Sequence, residues 1–209
     1  MAILQSDSYP IHIGKGVFKS LNKLLSKHLY SSVFILCDEH TLTHCLPILV
    51  VHCPSLSDAH IIEIESGETS KSLEISAMIW QTLLENEADK NCLLVNLGGG
   101  VVSDLGGFCA SVYKRGIRFI HVPTSLLAMA DASVGAKTGI DFMDVKNTLG
   151  TFAKPQSVFV YPGFLSPVLL STGIQRSFSL LCTPMRSDQA ARDIRKKKVE
   201  HISDQAQRA

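Results

Sequence analysis

The chain has 209 residues, 45% of them hydrophobic and 19% charged, with a formal net charge of +1. That length suits one domain with a substantial core. The near-zero charge excludes a nucleic-acid binder that works by bulk positive charge, and no window approaches the roughly 18 consecutive apolar residues of a membrane span.

The first 14 residues, MAILQSDSYPIHIG, lack the basic start, apolar run and small-residue cleavage site of a signal peptide. The six cysteines include no CxxC pair, and Cys37, Cys92 and Cys109 sit inside apolar runs. Free thiols there behave as small hydrophobes, so the expectation is a reduced, cytoplasmic chain. Residues 1–185 carry 13 Lys/Arg and 15 Asp/Glu, whereas residues 186–209 carry seven and four. Nine of the 14 glycines lie between Gly98 and Gly150. The chain thus reads as an ordinary globular front, a glycine-rich centre and a polar, basic tail.

In chain order, Val17–His28 places Phe18, Leu21, Leu24 and Leu25 on one helical face. Ser32–Asp38 is a short apolar run ending in a charge, which suits a buried strand. His60–Ile64 is a second strand. Ser72–Glu85 reads as a helix with Leu73, Ala77, Trp80 and Leu84 as its apolar face, and Thr69 or Ser70 as its cap. Asn91–Leu97 is the clearest strand and runs straight into Gly98-Gly99-Gly100. Val101–Val112 reads as a helix opened by those glycines. Arg118–Val122 is a fourth strand, stopped by Pro123, and Thr124–Ala132 a further helix.

Strand–helix alternation with short connections predicts an α/β fold with a parallel, Rossmann-like sheet flanked by helices. Ligands of such sheets bind at the carboxyl ends of the strands. The polar residues after the apolar runs are Asp38, Ser66-Gly67-Glu68, Gly98–Asp104 and Pro123–Ser125. Gly98-Gly99-Gly100-Val101-Val102-Ser103-Asp104 follows a strand and opens a helix. Glycines there let the backbone approach a pyrophosphate, which the free N–H groups and dipole of a helix N-terminus favour. The spacing is GxGxxS, and a tight strand-to-helix turn explains the stretch equally well. Asp104 suits a first helical turn by charge alone. Lys114 and Arg115 suit a helix C-terminus, although Arg115 can also hold a phosphate bidentately. The densest polar stretch sets Asp131, Lys137, Asp141, Lys146 and Asn147 among Gly135, Gly139 and other small residues. A solvated loop has this composition too; paired carboxylates and lysines in a packed site position an anionic substrate and shift one another's pKa.

Together, LGGGVVSDLGGF (97–108), YKRGIRFIHVPTSLLAMADASVGAKTGI (113–140) and VKNTLGTF (145–152) resemble the 3-dehydroquinate synthase family. YPIHIGKG (9–16), FILCDEHT (34–41) and SGETSKS (66–72) extend the resemblance to about residues 1–165. It implies a Rossmann-like NAD domain over 1–165, with residues 166–209 outside the family pattern; by composition that polar, basic tail reads as a solvated amphipathic helix or, in preference, a frayed or disordered end. It further implies a lyase of aromatic amino acid biosynthesis that eliminates phosphate from a seven-carbon keto-acid phosphate and closes a carbocycle. NAD and a divalent metal, zinc or cobalt, are the cofactors of the family. By motif position, Asp38, Gly67, Glu68 and Lys71 match nucleotide contacts. Gly99, Gly100, Val101 and Asp104 match contacts to the pyrophosphate and nicotinamide ribose, and Thr124, Ser125 and Lys146 further cofactor contacts. Arg115, Asp131, Lys137 and Asn147 match the substrate site, with Arg115 on phosphate and Asp131 orienting Lys137.

Departures from the family pattern are Ser103 and Ala136, where glycine is usual, Ser125 for a threonine, and Asp141-Phe142 for asparagine-histidine. After Leu165 the family's AExxK segment, whose glutamate binds metal, is not found, and His201 is the sole histidine after His121. No metal ligand is assigned; the scattered histidines of the front third read as structural or exposed. The expectation is a truncated chain, inactive alone, with a small sugar-phosphate ligand, no nucleic-acid or membrane partner, and a homodimer formed through the NAD half. The competing readings are another sugar-phosphate cyclase of the superfamily and a non-catalytic NAD-binding module.

Overall fold

A computed structural model of the chain describes residues 2–5, 9–133 and 135–165. The seven-stranded sheet comprises β1 (Ala2–Gln5), β2 (Pro10–Ile13), β3 (Val33–Asp38), β4 (His60–Ile64), β5 (Leu93–Gly98), β6 (Arg118–Pro123) and β9 (Val158–Val160). Its order is β1-β2-β9-β6-β5-β3-β4. The edge strand β1 runs antiparallel to β2, and every other pairing is parallel. The α/β, Rossmann-like expectation is met. Polar tail readings for 166–209, and the thiol of Cys182, lie outside the described residues.

Central strands are apolar on both sides because helices cover both faces. In β5, Leu93, Val95 and Leu97 enter one core with Val17, Phe18 and Leu21 of α1 (Val17–Lys27). The same core takes Cys45, Leu49 and Cys53 around α2 (Glu39–His44) and α3 (Leu46–His52). Leu94 points the other way, into a core with α4 (Leu73–Glu85) and α5 (Gly100–Val112). From β3 the chain moves outward to β4, then crosses back to β5 on the other side of β3. The carboxyl ends of β3 and β5 therefore face a switch point, where open sheets of this kind bind ligands.

Three local readings change. Helix α4 is capped by Ser72, whose side chain accepts from the Ile75 amide, and not by Thr69 or Ser70. Its buried face is Ser76, Ile79 and Leu83, while Leu73 and Ala77 are exposed and Leu84 is 64% exposed. Spacings of three and four fit either stripe, and packing selects the one containing Ser76, whose hydroxyl bonds to the Ser72 carbonyl instead of needing solvent. The segment after Pro123 winds into a π turn at Ala128–Ala132 in place of an ordinary helix. Residues 137–152 form a hairpin, β7 (Lys137–Phe142) with β8 (Val145–Phe152). Its tip, Met143-Asp144, has two positive φ angles, as a type I′ turn requires.

Helix α5 sits unusually close to its neighbours. A methyl group on Gly106 would lie 2.1 Å from Asn96 Oδ1, and one on Gly107 would lie 2.4 Å from Thr138 Cγ2. Both glycines are therefore required by close approach.

Ala136 lies at φ +52°, a left-handed conformation that costs a residue with a Cβ about 1–2 kcal/mol. Its carbonyl accepts the Ala153 amide at 2.9 Å, which fixes the strained geometry. Ala136→Gly is expected to stabilise the protein by about 0.5–1 kcal/mol, after the greater backbone freedom of glycine in the unfolded chain is subtracted. A urea midpoint equal to or below that of the parent would contradict this.

Cys37, Cys45, Cys53, Cys92 and Cys109 are all free and buried. Burial pushes the Cys37, Cys45 and Cys109 thiols up to about 12 and those of Cys53 and Cys92 to about 11. The native state thus keeps protons that the unfolded chain releases near pH 9, so stability falls as pH rises above that value. Urea midpoints measured from pH 8 to pH 10.5 should decline, and the decline should shrink in Cys→Ala variants.

Candidate functional site

The site is built on loops at the carboxyl edge of the sheet. Asp38, the last residue of β3, caps α2: its Oδ1 accepts from the Thr41 amide at 2.8 Å and the Thr41 hydroxyl at 2.9 Å. Glu39 accepts both the Ser66 amide (2.7 Å) and the Ser66 hydroxyl (2.6 Å), so the loop after β4 is tied to the start of α2. Those bonds hold the Glu39 carboxyl below its ordinary range. Gly67 follows with φ +113°, a conformation open in practice to glycine alone. A single 3-10 turn, Glu68–Ser70, then delivers Lys71.

Lys71 is the centre of the charge arrangement and is only 4% exposed. Its Nζ donates to Asp104 Oδ2 at 2.9 Å and to Asn147 Oδ1 at 2.6 Å. Glu68 Oε1 lies 3.7 Å from Lys71 Nζ and 3.8 Å from Lys146 Nζ. Asp104 lies in α5 just past its first turn, not within it as its charge suggested, because the helix starts at Gly100. Burial raises its carboxyl above the ordinary range; the Lys71 bond pulls it down, and Glu68 and Asp131 push it up.

Gly99, the residue before α5, offers no side-chain cap, and the first turn of the helix carries no acid. Its leading N–H groups therefore present positive partial charge, with no capping side chain among the described residues. Beside them, the Thr124 amide donates to the Gly98 carbonyl at 3.0 Å. Ser125 Oγ accepts from the Ala128 amide at 3.2 Å. A Cβ on Gly99 would stand 3.4 Å from Ser125 Oγ, and one on Gly100 would stand 3.7 Å from the Ala132 methyl. Side chains there would fill the cradle between the glycine loop and the turn after β6.

The structure thus brings together Gly67, Glu68, Lys71, Gly99, Gly100, Val101, Asp104, Thr124, Ser125, Lys146 and Asn147 along one edge, with Asp131 near Asp104. Asp38 stands at the same edge as a helix cap. Lys137 opens β7 and is exposed. Arg115 stands apart, in the turn after α5, about 20 Å along the helix from the glycine loop. It is exposed and strained, with φ +65° following Lys114 at +48°.

Two participants escape a sequence reading. Glu39 holds the Ser66 loop, and its signal is only a second acid directly after a strand. Asn96 is fully buried and its Nδ2 lies 3.3 Å from His121 Nδ1, its partner on β6. A polar residue inside the run NCLLVNL was the available sign. Among the described residues, no group of three His, Cys, Asp or Glu side chains is placed to hold a metal.

Residues 61–172 match the model of the 3-dehydroquinate synthase N-terminal domain. A 3-dehydroquinate synthase of Parabacteroides distasonis is 44% identical over 153 residues, 73% of this chain and 43% of its own length. One from Alkaliphilus oremlandii is 43% identical over 155 residues, with 73% and 42% covered. The chain belongs to the 3-dehydroquinate synthase family. It spans less than half the length of these curated relatives.

The fold of the 3-dehydroquinate synthase family is shared more widely. A crystal structure of 2-deoxy-scyllo-inosose synthase, complexed with carbaglucose-6-phosphate, NAD+ and Co2+, superposes with a TM-score of 0.74 at 19% identity. It covers 98% of this chain and 62% of that one. The 2-epi-5-epi-valiolone synthase of Streptomyces hygroscopicus, with NAD+ and Zn2+ bound, gives 0.69 at 20% identity, covering 99% and 63%. A glycerol dehydrogenase from Schizosaccharomyces pombe gives 0.55 at 17% identity, covering 74% and 37%.

Asp38 is structurally committed whatever it binds. Asp38→Ala should cost about 1 kcal/mol of stability through loss of the α2 cap. Asp38→Asn, which keeps an acceptor oxygen, should recover most of it in urea unfolding; equal losses in the two variants would remove the cap from the account.

Proposed function

We propose that this chain is the NAD-binding half of a 3-dehydroquinate synthase, working in the cytoplasm on 3-deoxy-D-arabino-heptulosonate 7-phosphate. The product is 3-dehydroquinate plus phosphate, in a phosphate-eliminating lyase reaction of the shikimate pathway. The observation that carries this reading is the uncapped N-terminus of α5, set in a glycine cradle at the switch point beside the Lys71–Asp104–Asn147 cluster. The identity to named 3-dehydroquinate synthases supports the reaction.

The residues present fit NAD. Backbone N–H groups at Gly100 and Val101 would receive the pyrophosphate, because the Gly99 and Gly100 positions leave room for close approach. Asp104 takes Lys71 through Oδ2, and on this reading its other oxygen accepts a ribose hydroxyl. Thr124 and Ser125 line the opposite wall. Asp38, Gly67, Glu68 and Lys71 border the nucleotide, and Lys146, paired with Glu68, lies along it. Bound NAD supplies transient oxidation of a substrate hydroxyl, which acidifies the neighbouring C–H.

On the substrate side, Asn147 presents an amide held by Lys71. Asp131 would orient the hydroxyls, and Lys137 would bind the carboxylate or phosphate. The resemblance assigns Arg115 to phosphate, but at the far end of α5 it does not join the other substrate-side residues within one chain; a homodimer through the NAD half is the proposed partner arrangement. The described residues do not fit a divalent metal, because no three of their His, Cys, Asp or Glu side chains converge. Its ligands belong, on this reading, to the part of the relatives that this chain does not match.

Isothermal titration with NAD tests the first claim. Heat of binding is expected, and it should fall at least tenfold in affinity in a Gly100→Val variant, equivalent to about 1.4 kcal/mol. No heat at millimolar cofactor would remove the cofactor reading. On this reading the NAD-binding half carries no turnover alone, so phosphate release from the sugar phosphate by the zinc-loaded chain should stay at background. Turnover well above background would overturn that statement. A product other than 3-dehydroquinate from a full-length relative would favour the wider cyclase superfamily, for which the 2-deoxy-scyllo-inosose synthase fold is the supporting observation.

A further inference from the structure

Lys71 is gripped at both ends. Its carbonyl accepts the Asp141 amide at 2.8 Å, while its Nζ donates to Asn147 Oδ1 at 2.6 Å. The Asp141 carboxylate accepts the Asn147 amide at 2.7 Å. These three bonds close a ring through Lys71, Asn147 and Asp141. One bond leaves the ring, from Nζ to Asp104 Oδ2 at 2.9 Å.

The ring sits where the hairpin lacks its own support. The β7–β8 ladder pairs Ile140 with Leu149 and Phe142 with Val145, with a register shift between. Asp141 and Asn147 have no partner in that ladder. Asn147 also stands at φ +53°, off the strand conformation. What fixes these two residues is therefore Lys71, from a different loop: its carbonyl holds the Asp141 amide and its side chain holds Asn147. With the Lys71 side chain buried, water is a poor substitute for the bond from Nζ to Asn147.

We infer that Lys71 is a positioning residue that couples the first turns of α5 to the tip of the β7–β8 hairpin. Whatever engages Asp104 sets where Asn147 sits. The coupling stands on the bonds alone; its use, to place the substrate-side amide once NAD has engaged Asp104, rests on the cofactor reading above. If Lys71 served only to neutralise Asp104, changes at Asp104 would stay local to α5.

Amide hydrogen exchange of residues 137–152 in the full chain, first without ligand, separates the two. Asp104→Asn should speed exchange at Asp141 and Asn147 by about threefold or more, because it loosens the shared Nζ. Lys71→Met should do at least as much, and the double variant should be no faster than Lys71→Met. Lys71→Arg, which keeps the charge and donors, should restore part of the protection. Should Lys71→Met not fold, Asn147→Ala opens the same ring without stranding a buried carboxylate. In that background Asp104→Asn should have no further effect on the Asp141 amide. Additive effects, or a hairpin indifferent to Asp104→Asn, would overturn the coupling. Adding NAD should then slow these amides in the parent and not in Asn147→Ala. Slowing of equal size in both would sink its use in the site. Absence of NAD binding by titration would sink the cofactor reading and leave the ligand-free result to decide the coupling.

Discussion

The closeness of α5 to the sheet is the constraint on which the ligand edge depends. Two adjacent glycines let the helix press against Asn96 of β5 and Thr138 of β7, at distances no Cβ tolerates. A methyl at Gly106 would push the helix outward by an ångström or more, since about 3.5–4.0 Å is the comfortable separation of carbon atoms. That shift would move the Gly99–Gly100 cradle away from Ser125 and carry Asp104 away from Lys71. The same pair of glycines therefore fixes two things, the placement of the helix N-terminus at the switch point and the reach of its first acid.

The charges at this edge are arranged for occupancy more than for stability. A buried lysine–carboxylate pair gains Coulomb energy only against a desolvation cost of several kcal/mol for each ion, so such pairs are weak stabilisers. Here burial still keeps the Asp104 carboxyl above its ordinary range despite a 2.9 Å bond to Lys71. Glu68 and Asp131 add to that pressure. A carboxylate left under-compensated among other acids is suited to a ligand that brings hydrogen-bond donors. The free N–H groups of α5 a few residues earlier are suited to one that brings negative charge. A dinucleotide carries both, with hydroxyls on its ribose and charge on its pyrophosphate.

Much of this was legible in the sequence. The four strands β3 to β6 were readable because each is a short apolar run bounded by charge, glycine or proline. β4 shows its bounds at His60 and Ile64 without alteration. The glycine loop and the acid after it could be placed at a helix start for the same reason. The hairpin was not legible, because β8 is exposed along most of its length and carries no alternation of buried residues. Its strands are set by the close pairing of Gly139 with Gly150 and by the Lys71 ring, both of which are long-range facts. The stripe of α4 was misplaced because Ser76 faces the core with its hydroxyl turned back onto Ser72, which a hydrophobicity pattern scores as a surface residue. That Lys114 and Arg115 end the helix opened by the glycines was legible; that this end stands about 20 Å from the cradle is what the motif match did not weigh.

Left-handed backbone gathers around the same elements. Ala136, Met143, Asp144 and Asn147 all have positive φ within or beside the hairpin, and Lys114 and Arg115 have it at the end of α5. Residues other than glycine cost of order 1–3 kcal/mol in such conformations and persist only where the surroundings over-determine them. At Asn147 the over-determination is visible as two hydrogen bonds, one to its amide and one to its side chain. Asparagine tolerates this geometry better than most residues, so the cost there is low and the amide oxygen is delivered to Lys71 as a consequence. Ala136 has no such compensation beyond its backbone bonds. The strain at the hairpin base is thus carried by the fold, while the strain at Asn147 is tied to a side chain that also holds Asp104.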